Sequence, residues 1–139
     1  GGYSWEYGCA DWAREGADGV ILTTGTVAGA AVSAADDVAE HGIHVGVCIV
    51  SSPLDLDEAA MQRAAQAPWL LVAEDHGWRT GLWASVAEWI ALSGAATRAV
   101  PLGIDGYQAS GDAPGLMARA GLDAAGIAAR IRELAGALT

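Results

Sequence analysis

The chain has 139 residues, is 53% hydrophobic and 17% charged, and carries a formal net charge of −10, which suits one globular domain with a sizeable core and excludes a disordered segment. Its seven cations are all arginine and face seventeen acids, a balance that argues against binding a nucleic-acid backbone. Without lysine there is no Walker-type phosphate loop, Schiff-base chemistry or lysine general base.

No apolar run approaches the roughly 18–20 residues of a membrane span. Gly1–Trp5 has neither a basic region nor an apolar core, so it is not read as a signal peptide, and the expected setting is cytoplasmic. Cys9 and Cys48 are too few for a disulfide framework or a zinc site and are expected to stay reduced and unpaired.

In chain order, Tyr3, Trp5 and Tyr7 alternate as a half-exposed edge strand would. Gly19–Thr24 is an apolar run bounded by Asp18 and Gly25, the pattern of a buried parallel strand. Val27, Ala31, Ala34 and Val38 recur at helical spacing, opposite Asp36, Asp37 and Glu40, and Gly42 supplies a stop. Ile43–Val50 is the next strand, with Cys48 as a buried thiol.

Asp55 and Glu58 form a capping-box-like start for a helix carrying Met61, Ala64 and Ala65 inward. Pro68 ends it, and Trp69–Ala73 reads as the third buried strand. Leu82, Val86, Trp89 and Ile90 give another helical face that ends near Gly94. Thr97–Leu102 is a shorter strand, which Pro101 places at an edge or a strand end. Gly103–Gly115 reads as a loop, and Asp123 as the N-cap of a last helix carrying Ile127, Ile131, Leu134 and Leu138. This rhythm predicts a three-layer α/β domain spanning residues 1–139: a mostly parallel twisted sheet of about five strands with helices on both faces.

Ligands of such sheets bind outside the carboxyl ends of the strands, where three loops fall: Thr24–Thr26, Ser51–Pro53 and Glu74–Gly81. Thr24, Gly25 and Thr26 resemble a phosphate-binding turn, but the glycine spacing of a dinucleotide fingerprint is missing. The plainer reading is that Thr26 caps a helix opening at Val27.

The densest polar cluster is Glu74-Asp75-His76-Gly77-Trp78-Arg79-Thr80. Its spacing does not support a metal site, and Glu74 with His76 as an acid/base pair lacks a nucleophile. An interface is the better expectation: the Gly77–Gly81 turn presents Trp78 and Arg79 outward, and Trp83 lies off the Leu82–Val86–Ile90 stripe. His41 and His44 read as solvated or capping.

Read in order, several segments resemble the C-terminal domain of the transketolase family. Gly1-Gly2-Tyr3 resembles its opening, Gly19–Thr26 its first buried strand and threonine-glycine turn, and Gly42–Val45 with Val47, Val50 and Pro53 its stretch of glycine, spaced valines and proline. Val72–His76 and Gly81-Leu82 are similar to the related beta subunits of 2-oxoacid dehydrogenases. The tail is the most specific part: Leu102-Gly103-Ile104, Tyr107, Ser110-Gly111, Leu116, Gly121-Leu122-Asp123 and Ile127. Trp83 and Tyr107-Gln108-Ala109 depart from the pattern, and Gly8–Asp18 reads as an insert, so residues 1–18 form an edge strand plus insert.

The resemblance implies part of an enzyme that transfers a two-carbon ketol unit with thiamine diphosphate and a divalent metal. The cofactor and catalytic residues belong to other domains, and the family's metal-binding glycine-aspartate-glycine motif is missing here. On this reading the chain itself holds no cofactor. It supports dimerisation, as a homodimer or with the cofactor-binding domains or subunit of the same enzyme, through Glu74, Asp75, His76, Trp78, Arg79 and Trp83. The family's C-terminal domain also has a proposed regulatory-ligand site. The competing hypothesis is an independent module that binds a small anion or nucleotide at Thr24, Gly25 and Thr26.

Overall fold

The computed structural model describes residues 6–106 and 111–138. Among these residues five strands and five helices follow one another: β1 (Asp11–Arg14), β2 (Gly19–Thr23), α1 (Gly25–Ala39), β3 (Val45–Ile49), α2 (Glu58–Ala64), β4 (Trp69–Gly77), α3 (Leu82–Ser93), β5 (Arg98–Ile104), α4 (Ala113–Arg119) and α5 (Ala124–Gly136). The sheet order is β1-β3-β2-β4-β5. β2, β3, β4 and β5 run parallel, and only β1 is antiparallel.

Successive strand side chains point to opposite faces, and both faces here are apolar. On one face Ile21, Val45, Val47, Trp69 and Leu71 meet Val27, Ala31 and Val38 of α1 and Ile127 and Ile131 of α5. On the other face Val20, Leu22, Cys48, Leu70 and Val72 meet Met61 and Ala64 of α2 and Leu82 and Val86 of α3. Continuous apolar strands are what a sheet covered on both sides requires. The Arg132–Asp37 ion pair at 2.7 Å ties α5 to α1 at the surface.

Among the described residues β1 is the edge strand beside β3. Tyr3 and Trp5 lie outside the described residues, and Tyr7 sits exposed in a turn. β1 forms within the segment read as an insert, pairing Asp11 with Ile49 and Trp12 with Cys48. Two features hold it there: Trp12 packs on the second core face, and Arg14 donates to the Val45 carbonyl at 3.1 Å. Gly16 then lets the chain pass the Val45–Gly46 peptide, where any Cβ would overlap backbone atoms.

Three other boundaries move. The cap of α2 is Asp57, accepting from Ala60 N at 3.0 Å, not Asp55. The expected Gly103–Gly115 loop contains the start of α4, with Pro114 in its first turn. α4 buries no residue fully, so it lacks an apolar stripe to read, although its Met117 packs half-buried on the first core. β4 runs on through Gly77, so Glu74, Asp75 and His76 belong to a strand and not to a loop.

Candidate functional site

β2 and β4 are neighbours, and their outgoing connections run to opposite sides, α1 leading to β3 and α3 to β5, which opens a crevice at the carboxyl ends of these strands. Its volume is about 390 Å³, and its walls include Thr24, Pro53, Leu54, Glu74, His76 and Thr80. Three of the sequence-predicted residues, Thr24, Glu74 and His76, therefore share one site. Asp75, Trp78, Arg79, Trp83, Gly25 and Thr26 are not among its lining residues.

Glu74, expected at an interface, is buried within the domain. It is 1% exposed, and its carboxylate accepts from Leu82 N at 2.6 Å and from Trp83 N at 3.0 Å. The first amides of a helix have no partner within the helix, and the N-cap residue of α3, Gly81, has no side chain to offer them. A carboxylate eight residues earlier fills that role, and its charge also faces the positive end of the helix dipole. Gly81 is required for this: a Cβ there would collide with the Glu74 carboxylate.

Around this buried cap His76, Arg79 and Thr80 are exposed to water. Asp75 Oδ1 lies 2.7 Å from His76 Nδ1 but out of hydrogen-bond alignment, and the His76 side chain is largely exposed. The Arg79 guanidinium stacks over the Trp78 ring at 4.5 Å and reaches 4.0 Å from Asp105 at the end of β5. Trp78 is half-buried, with its Cβ against Gly103. Trp83 is also half-buried, packed on the second core, so part of its ring does serve the interior.

At the opposite wall, α1 starts at Gly25 with Thr24 as its N-cap, two residues earlier than a Thr26 cap would require. Thr24 makes no side-chain cap bond, and its hydroxyl is buried without a partner. Gly25 and Thr26 are exposed in the first turn. Sequence reasoning missed Leu54, which stands 93% exposed at the crevice wall. An apolar residue between Pro53 and Asp55 in a loop after a strand was the available signal.

Chemically, this arrangement suits recognition better than bond-making: its one buried acid is engaged by two amides, and the remaining wall is hydroxyl, imidazole and aliphatic. A diphosphate–metal group does not fit these residues. Among the described residues, no three His, Cys, Asp or Glu side chains are placed to hold a metal ion.

The sequence pattern of the family described as "Transketolase, C-terminal domain" matches residues 8–127. The chain belongs to the transketolase C-terminal domain family. It is 34% identical over 137 residues to a putative uncharacterised transketolase family protein of Sinorhizobium fredii, covering 95% of this chain and 39% of that protein. It is also 34% identical over 122 residues to the 1-deoxy-D-xylulose-5-phosphate synthase of Syntrophotalea carbinolica, covering 86% of this chain and 19% of the relative.

Among solved structures, a split-gene transketolase described as an inactive β4 tetramer superposes with a TM-score of 0.87 at 23% identity, covering 94% of this chain and 43% of that one. The shared fold is the transketolase C-terminal domain's parallel sheet with its helices. The chain thus spans well under half the length of the relatives it matches. No helix among the described residues is long and apolar enough to cross a membrane.

Proposed function

We propose that this chain is the assembly domain of a thiamine diphosphate-dependent enzyme that transfers a two-carbon ketol unit, and that it supplies no catalytic group. The observation that carries this is the engagement of Glu74. The one buried acid at the carboxyl ends of the strands is held by Leu82 N and Trp83 N and is not presented to a substrate. Family membership supports the enzyme class, since the matched relatives are a transketolase family protein and a 1-deoxy-D-xylulose-5-phosphate synthase.

The contact face is the crevice rim, where exposed Leu54 projects, together with the Trp78–Arg79 stack beside it. Its partner is a second copy or the cofactor-binding domains of the same enzyme. Sedimentation equilibrium of the protein beside Trp78→Ala and Leu54→Asp tests this. Each substitution is expected to weaken association by about 2 kcal/mol, near thirtyfold in Kd, with little change in melting temperature. Variants that assemble normally, or that melt far lower, contradict it.

One observation favours a second reading, a small-anion site at the head of α1: the Thr24 hydroxyl is buried there without a partner. Free helix-terminal amides attract anions. Inorganic phosphate titrated into the protein would then shift the Gly25 and Thr26 amide resonances saturably. Resonances that stay unmoved at millimolar phosphate would remove that reading.

A further inference from the structure

We draw no further inference here: the strongest candidate, the crevice at the carboxyl ends of β2 and β4 between Thr24, Leu54, His76 and Thr80, belongs to the site already described, and beyond the head of α1 nothing in the structure points to a particular ligand.

Discussion

A carboxylate removed from water is costly unless its charge is met by donors. At Glu74 the donors are two backbone amides, so one side chain both closes the end of β4 and starts α3. Glu74→Ala removes both bonds and leaves the two amides unpaired. Stability is expected to fall by about 3 kcal/mol, read as a lower midpoint of urea unfolding. An unchanged midpoint would show that the cap contributes nothing.

Cys48 gives a second test at this scale. Burial, reinforced by the Asp57 charge, pushes its thiol up to about 12. It is expected to resist a thiol reagent at pH 8 until the domain unfolds, while exposed Cys9 reacts in the native state. Mass spectrometry of the labelled native protein should show one adduct; two adducts formed at the same rate would contradict the buried placement. The sequence pointed to Cys48 correctly because it sits in an uninterrupted apolar strand. It did not disclose the capping role of Glu74, because the partners are backbone groups, and those leave no trace in side-chain pattern.

Helix α2 is short, and Asp57 holds it at its start while also fixing the chain that enters β1. One carboxylate oxygen accepts from Ala60 N at 3.0 Å and the other from Ala10 N at 2.9 Å. These amides, that of Ala10 first, hold the Asp57 carboxyl below its ordinary value. A group whose folded value is depressed stabilises the fold in full above its unfolded value, and that contribution fades as pH falls through the folded value. Asp57→Ala should therefore cost about 1 kcal/mol at neutral pH. The melting-temperature gap between the two proteins should hold from pH 7 to about 5 and narrow below about 4. A gap that widens in acid would reverse the assigned sign.

The same scale shows which elements the sequence discloses. β2 and β3 are legible because Val20–Thr23 and Val45–Cys48 are continuous buried runs, and α5 because Ile127, Ile131 and Leu134 are buried at helical spacing. β1 is hidden because its pairing shifts register between Trp12 and Arg14, which breaks the alternation. α4 is hidden because it buries nothing fully. The far end of β4 is hidden because Glu74, Asp75 and His76 look like a loop, although their backbone continues the strand and Gly77 still pairs with Ile104.

For the whole molecule, a sheet covered on both faces explains how a chain with a net charge of −10 and only seven cations still forms one compact unit: its two apolar cores do not depend on ion pairs. The exposed pairs, such as Arg132–Asp37 and Arg130–Glu133, add little each. The architecture was legible because strands and helices alternate from β2 through β5. The crevice was only partly legible, since its position follows from sheet order while Leu54 carries no motif. On the proposed function the domain serves assembly and leaves cofactor chemistry to other domains. Calorimetric titration of thiamine diphosphate with magnesium into this protein tests that most directly. No heat of binding beyond dilution is predicted; saturable binding in the micromolar range would contradict it.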